Sequence, residues 1–173
     1  MKIIQEIIDL QPGEYVWLIE MGNTVAQTGD LEGALKYFQQ AINAEPDNPV
    51  WRKELITFCL QNNYEIRTLA LPNARVYLKS DHEGPRSLEM MGRVMLDLKD
   101  ALSAERYLIR ALEMDPSNAS VHLYLGQVYL LESSQEQAFN HLTSAYSMAS
   151  RQSETAQLAQ RLLEKYFPEG AAN

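Results

Sequence analysis

Cysteine, histidine and long apolar runs are scarce in this chain of 173 residues, and each scarcity removes a class of function. The single cysteine, Cys59, cannot form a disulfide within the chain or a thiolate metal cluster, and its apolar neighbours predict a buried, unreactive thiol. Three scattered histidines are too few to predict a metal site. No apolar run approaches the roughly 18 residues of a membrane-spanning helix. We therefore expect no metal, no cofactor and no membrane partner.

Cations are also in short supply. The chain has 15 lysines and arginines against 23 aspartates and glutamates, which gives a formal net charge of -8. Nucleic acids and anionic membranes bind dense basic patches, so neither is an expected partner. The deficit is concentrated at the start, because residues 1–48 carry two cations and eight anions whereas residues 49–118 carry ten of each.

Motifs of catalysis and of secretion are missing as well. The sequence has no glycine-rich phosphate loop, no H-E-x-x-H and no G-x-S-x-G. The first ten residues lack the uninterrupted apolar core of a signal peptide, because Gln5, Glu6 and Asp9 interrupt it. The expected protein is not an enzyme and is cytoplasmic, although a longer parent chain would change the location.

What the sequence does contain is a repeat of about 34 residues. A turn signal with proline follows an amphipathic stretch at Pro12, Pro46 and Pro116. Pro12 and Pro46 are 34 residues apart, and Pro46 and Pro116 are 70 apart with a similar turn at residues 81–84 between them. Apolar residues recur at helical spacing rather than at the alternating spacing of strands. The chain is therefore predicted to be all-α and built from helix pairs.

Small residues recur in phase with these turns. A glycine falls inside the first helix of a pair at Gly22, Gly92 and Gly126. Glycine costs ~1 kcal/mol against alanine in a helix, so its recurrence predicts close contact with the neighbouring helix. The second helices repeat an alanine, a large apolar residue four positions on and another alanine three further on: Ala34, Phe38 and Ala41; Ala104, Leu108 and Ala111; Ala138, Leu142 and Ala145.

This pattern resembles the tetratricopeptide repeat family, whose units run W-x2-L-G-x2-Y, then A-x3-F and a closing proline over 34 residues. The resemblance implies an α-α superhelix, or solenoid, of antiparallel helix pairs with about four units, an N-terminal half-unit and a C-terminal capping helix. Within a single array over residues 1–173, the predicted boundaries are 2–12 for the half-unit, 15–48, 49–84, 85–118 and 119–152 for the four units, and 153–167 for the capping helix.

The second unit departs from the pattern. It is two residues longer than 34 and has no glycine at the packing position. Pro72 falls inside its second helix, where a proline removes a hydrogen bond and clashes with the preceding turn, so a kink or a late helix start is predicted. The unit is either degenerate or shaped for a partner.

In the tetratricopeptide repeat family the first helices line a concave groove, which commonly takes a peptide or an extended segment of a partner protein. The resemblance implies the same use here. Arg86 and Arg93 lie seven residues apart on one helical face, where they either hold a partner's carboxylate or pair with Glu89 and bind nothing. The groove candidates are Asn23, Gln27, Lys53 (or Arg52, depending on register), Arg86, Met90, Arg93, Tyr124 and Gln127, with Ile19 and Leu123 placed on the same face.

Two other functions stay open. Residues 2–10 are rich in isoleucine, and this segment or residues 153–167 offers an apolar surface for self-association into a homodimer. Alternatively, the chain is the interaction domain of a larger multidomain protein.

Two histidines, His122 and His141, fall in the fourth unit. His122 stands where the repeat usually has a buried aromatic and is expected in the core, whereas His141 is expected on the surface of the second helix. An approach of the two between paired helices is the alternative. Two histidines without a neighbouring carboxylate make a weak set of metal ligands, so no metal site is predicted there.

Overall fold

The computed structural model describes residues 15–168, which form nine α-helices and one short π-helical segment without any strand in that range. None of the helices in this range is long and apolar enough to cross a membrane. The predicted half-unit, residues 2–12, lies outside the described residues. The helices are α1 (Val16–Ala26), α2 (Leu31–Ala44), α3 (Pro49–Gln61), the π-helical segment (Ile66–Ala70), α4 (Leu71–Ser80), α5 (Pro85–Asp97), α6 (Ala101–Met114), α7 (Ala119–Leu131), α8 (Gln135–Met148) and α9 (Glu154–Tyr166).

The chain divides into two compact units, residues 1–82 and residues 83–173. In the first unit, α1 packs on α2, α2 packs on α3, and α3 packs on the π-helical segment and α4. In the second unit, α5 packs on α6, α6 on α7, α7 on α8 and α8 on α9. Within each unit, each helix therefore lies against its neighbours in sequence, as expected for stacked helix pairs.

Side-chain caps determine where several helices begin. Asp30 accepts a hydrogen bond from the Gly33 N–H at 2.8 Å before α2, and Asp100 accepts one from the Ser103 N–H at 3.1 Å before α6. Each bond satisfies one of the free N–H groups of a first helical turn. The same role is taken by Asn48 for α3, Asn118 for α7 and Ser153 for α9.

The glycines of the first helices lie against the large apolar residue of the second helix. A Cβ added to Gly22 would stand 2.8 Å from Cε2 of Phe38, and one added to Gly126 would stand 2.7 Å from Cγ of Leu142. Phe38 and Leu142 are fully buried. The predicted close contact is confirmed, because any residue larger than glycine would force a neighbour to move.

In the pair formed by α3 and α4, the positions of the large and the small residue are exchanged between the two helices. Eight residues after its N-cap, α3 carries Ile56, whereas α5 and α7 carry Gly92 and Gly126. Seven residues before its C-cap, α4 carries Ala74, whereas α6 carries Leu108. Ile56 and Ala74 are both buried. The large residue thus comes from the first helix and the small one from the second, which explains the missing glycine.

The two surplus residues of this region are accommodated before α4. Glu65 adopts a left-handed backbone conformation with φ 47°, and residues 66–70 form a π-helical turn. A π-helical turn takes one more residue per hydrogen bond than an α-helical turn. The α-helix then begins at Leu71 with Pro72 in its first turn, and it follows the π-helical segment directly, because Ala70 is right-handed helical and the Leu71 N–H donates to the Ile66 carbonyl. Of the predicted kink or late start, the structure shows the late start.

Aromatic stacking joins α2 to α3. The rings of Phe38 and Phe58 have centroids 4.8 Å apart and planes inclined by 27°. Cys59 follows Phe58 on α3 and is fully buried, and this burial raises the pKa of its thiol to about 12. The thiol therefore stays protonated at neutral pH, as the sequence predicted.

At the C-terminal end of the second unit, α9 covers a core cluster of Leu123, Leu142, Ala145 and Ala159. Three leucines on α9 pack against this cluster: Leu158, Leu162 and Leu163. Their burial leaves the polar side of α9 outside.

Candidate functional site

The predicted site residues lie on two surfaces formed by first helices, one in each unit. The surface formed by α1 and α3 is called the first-unit face. The surface formed by α5 and α7 is called the second-unit face. Each is described by itself.

The first-unit face contains a polar depression of about 410 Å³ between α1 and α3. Two predicted residues, Asn23 and Gln27, line it from α1. Its other lining residues are Glu20, Ala26, Glu54, Thr57, Gln61 and Asn62. Amide side chains therefore face the depression from both helices.

Three of these amides are not engaged elsewhere in the described chain. Asn62 donates to the carbonyl of Phe58 at 2.8 Å and so satisfies its own helix. The side chains of Asn23, Gln27 and Gln61 make no hydrogen bond within residues 15–168. Each amide offers two N–H donors and a carbonyl acceptor. This combination suits the alternating N–H and C=O groups of an extended peptide backbone.

Arg52 and Lys53, the two alternatives for one groove position, make different contacts. Arg52 donates to Oδ1 of Asn73 at 3.0 Å and to the carbonyl of Pro46 at 3.3 Å, so its guanidinium is held by the π-α junction and the preceding turn. Lys53 lies 3.3 Å from the carboxylate of Glu54, and both side chains are partly exposed. Neither Arg52 nor Lys53 lines the depression, and the choice between them stays a prediction.

On the second-unit face, Arg93 of α5 lies over the ring of Tyr124 of α7. The guanidinium carbon is 5.6 Å from the ring centroid, within the range of a cation–π interaction. Burial raises the pKa of Tyr124, and the charge of Arg93 acts in the opposite direction. Among the described residues, neither Arg86 nor Arg93 forms an ion pair, so the predicted pairing with Glu89 is not a direct contact.

Glu89 lies between the two arginines in sequence and is half-buried. Its carboxylate accepts a hydrogen bond from Nδ2 of Asn118 at 3.0 Å. Burial raises the pKa of Glu89, while this hydrogen bond and the charges of Arg93 and Arg86 lower it. Arg86 is exposed, and its side chain makes no hydrogen bond within residues 15–168.

The remaining two candidates lie at the margins of the second-unit face. Met90 is half-buried on α5. Gln127 of α7 lines a recess of about 240 Å³ that is apolar on the α7 and α9 sides. The other lining residues of this recess are Leu96, Asp97, Lys99, Leu130, Leu131, Leu158, Leu162 and Tyr166.

Two residues placed on the groove by sequence reasoning are buried instead. Ile19 is 4% exposed and Leu123 is 3% exposed. Leu123 packs into the cluster that α9 covers. The prediction was wrong for these two residues because both helices are apolar on several sides, so periodicity alone did not show which side faces solvent.

Sequence reasoning also missed Gln61 and Asn62. Gln61 follows Thr57 by four residues and Glu54 by seven, which places all three on one side of a helix. This spacing was the signal that could have found it.

Two family models, each described as tetratricopeptide repeat, match the chain. One covers residues 18–48 and the other covers residues 89–154. Among curated proteins, none matches the sequence.

Solved structures share the fold at low sequence identity. MamA 41-end from Desulfovibrio magneticus RS-1 has a TM-score of 0.68 and 18% identity over 85% of this chain and 82% of its own. Yeast Tom70 has a TM-score of 0.73 and 13% identity over 98% of this chain but only 36% of its own. YrrB, described as a TPR protein with an unusual peptide-binding site, has a TM-score of 0.60 and 15% identity over 98% of this chain and 85% of its own. These similarities show an all-α solenoid of antiparallel helix pairs.

Proposed function

The chain belongs to the tetratricopeptide repeat family, and on that premise we propose that it is a non-catalytic scaffold that binds a peptide or an extended segment of a partner protein. Repeats of this family serve protein–protein interaction. The proposed contact surfaces are the first-unit face and the second-unit face. The peptide-binding site of YrrB is a property of that protein and adds only a precedent for the fold.

The observation that carries the proposal is the polar depression of the first-unit face. Asn23, Gln27 and Gln61 point unused amides into a space of about 410 Å³. Polar groups in such a recess exchange bonds with water for bonds with a ligand, at a net gain of about 0.5–1.5 kcal/mol for each neutral hydrogen bond. Several such bonds along a peptide backbone would fix its position while leaving its side chains to determine specificity.

The second-unit face supplies a different chemistry. Arg86 is exposed, and Arg93 is held in place by the ring of Tyr124. A guanidinium can bind a carboxylate through two parallel hydrogen bonds. We propose that this face receives an acidic group of the partner.

The proposal is tested by selecting a binder from a random peptide library displayed on phage and measuring its affinity by isothermal titration calorimetry. Replacing Asn23 and Gln61 together by alanine removes two amides from the depression. We expect the affinity to fall about tenfold or more, since about 1.4 kcal/mol corresponds to a factor of ten.

The matched control is Gln39→Ala, which removes an exposed amide of the same kind from α2 in the same unit. It should leave the affinity unchanged. Equal affinities for the control and for the Asn23→Ala/Gln61→Ala variant would move the site away from the first-unit face.

Self-association is the competing use of the chain. Its first candidate segment, residues 2–10, lies outside the described residues. For the second, residues 153–167, the leucines of α9 already pack within their own unit. A homodimer therefore stays a prediction, and no contact of the described residues favours it over partner binding.

A further inference from the structure

His122 and His141 form a close imidazole pair in the second unit. Nδ1 of His122 on α7 lies 3.0 Å from Nδ1 of His141 on α8, a hydrogen-bond distance. The ring centroids are 5.1 Å apart and the planes are inclined by 36°. Of the alternatives left open by the sequence, the approach of the two histidines occurs, and it links the two helices of one pair.

The second nitrogen of His122 fixes the positions of the protons. Nε2 of His122 lies 3.3 Å from the carbonyl of Pro116, which can only accept, so this nitrogen carries hydrogen. In the neutral pair, Nδ1 of His122 is then the acceptor and Nδ1–H of His141 is the donor. When His122 takes up a proton, its Nδ1–H donates to His141 instead. One hydrogen lies between the rings in both states.

A second added proton destroys this arrangement. Both Nδ1 atoms then carry hydrogen, so neither can accept and the hydrogen bond is lost. Two positive charges would also stand at a separation of 3.0 Å in a half-buried site. Interacting titratable groups of this kind gain their protons in two separate steps.

The groups around the pair do not offset the second charge. From α7, Tyr129 stacks beside His141 with ring centroids 5.4 Å apart. Its hydroxyl donates to Oε1 of Glu105 on α6 at 2.7 Å, and burial together with this bond raises its pKa to about 12. Glu105 is not among the groups that shift the pKa of His141. On the far side of α8, α9 packs through Ala159 and the neighbouring leucines.

Burial lowers the pKa of His141, and the charge of His122 lowers it further. No other charged group in the described chain contributes to this shift.

We propose that His122 and His141 form a pH-sensitive latch, which holds α7 against α8 while at most one imidazole is charged and opens when both are charged. The stabilising contribution is fully present above the ordinary histidine pKa of 6.5, because the unfolded chain is then neutral as well. It is lost as the pH falls from 6.5 through the lowered pKa of His141, because the unfolded chain binds the proton more readily than the folded one.

Loss of the hydrogen bond between His122 and His141 would also affect the second-unit face. α7 carries Tyr124 and Gln127, so a change in its packing alters that face. This consequence rests on the proposed function, whereas the latch itself does not.

The latch is tested by comparing the thermal stability of the wild-type chain at about pH 7.5 and about pH 5, the range in which histidine titrates. The decisive variant is His141→Gln, which cannot take up the second charge. The control is His82→Gln, because His82 is exposed in the turn between the two units' helices. The drop in Tm on acidification should be smaller in His141→Gln than in wild type by at least about 2 °C, and unchanged in His82→Gln. An equal drop in both variants would overturn the proposal.

A second measurement, made on the wild-type chain, tests the latch even if His141→Gln fails to fold. The imidazole nitrogens of the wild-type chain can be followed by ¹⁵N NMR through the same pH range. His141 should titrate below the ordinary histidine pKa of 6.5. Titration of His141 at or above 6.5 would overturn the latch without bearing on partner binding.

Discussion

Leu108 lies so close to Gly92 that a Cβ added to the glycine would stand 2.5 Å from Cγ of the leucine. The backbone carbonyl of Ala104 would be 3.4 Å away on the same side. The branch carbon of a fully buried leucine cannot move aside without disturbing its own packing. The distance between α5 and α6 is therefore set by the absence of a side chain at position 92.

A double-mutant cycle tests this contact. Gly92→Ala in the wild-type chain should be destabilising, because overpacking costs about 1–3 kcal/mol and exceeds the ~1 kcal/mol that alanine gains in helix propensity. In a Leu108→Ala background the clash is gone, so the same change should be stabilising. Urea unfolding of the four proteins measures both effects. Additive effects within about 0.5 kcal/mol would show that the two positions are not in contact.

Leu142, the large apolar residue of the pair formed by α7 and α8, should behave like a core residue. Leu142 is fully buried beneath α9, so Leu142→Ala should cost ~2–5 kcal/mol of unfolding free energy. Leu102→Ala is the control, because Leu102 is 68% exposed on α6. Denaturant unfolding gives both values, and a loss under ~0.5 kcal/mol for Leu142→Ala would contradict the register described above.

At neutral pH, the wild-type chain with Glu89 should be less stable than the Glu89→Gln variant. Burial raises the pKa of Glu89, so its folded-state carboxyl holds a proton more tightly than the unfolded chain does. Its contribution to stability is therefore present at acidic pH and is lost as the pH rises through the raised pKa. Glu89→Gln keeps an oxygen acceptor for Asn118 and removes the charge.

The stability of Glu89→Gln and of wild type should thus be similar at about pH 3.5 and should diverge in favour of the variant at about pH 7. Denaturant unfolding at the two pH values measures the difference. A variant that is less stable than wild type at neutral pH would show that the hydrogen bond from Asn118 outweighs the cost of burial.

Charge reversal on α5 should show whether an acidic partner binds at the second-unit face or responds only to the net charge of the chain. Arg86→Glu together with Arg93→Glu should abolish binding of an acidic partner segment and leave the helical circular dichroism unchanged. Arg106→Glu is the control, because Arg106 is exposed on α6 away from this face. The affinities of wild type, the double variant and the Arg106→Glu control for the acidic partner segment are compared at one fixed salt concentration. Equal losses with Arg106→Glu would indicate long-range electrostatics rather than a site.

The repeating contacts of the fold were predictable because they depend on residue size at fixed spacing. Gly22 with Phe38 and Gly126 with Leu142 could be placed from the 34-residue period alone, before any coordinates. The large residue at Ile56 and the small residue at Ala74 could not be predicted, because the repeat pattern has the small residue on the first helix. The π-helical turn after Glu65 had only the two surplus residues as a signal, and insertion length does not determine backbone conformation.

The candidate site was less predictable than the fold. Which side of a first helix faces solvent depends on the neighbouring helices, so Leu123 could not be recognised as buried until α9 was in place. Arg93 could be placed on its helical face, but its position over Tyr124 depends on how α5 packs beside α7. Arg52 and Lys53 differ in their hydrogen-bond partners, and no spacing rule reveals these partners.

The most direct test of partner binding on the first helices is an NMR titration of the ¹⁵N-labelled chain with the phage-selected peptide. We expect the largest amide shifts on α1 and α3, at Asn23 and Gln61, and on α5 and α7 around Arg93 and Tyr124. Shifts confined to the second helices α2, α4, α6 and α8 would contradict the proposal and place the binding surface on the opposite side of each pair.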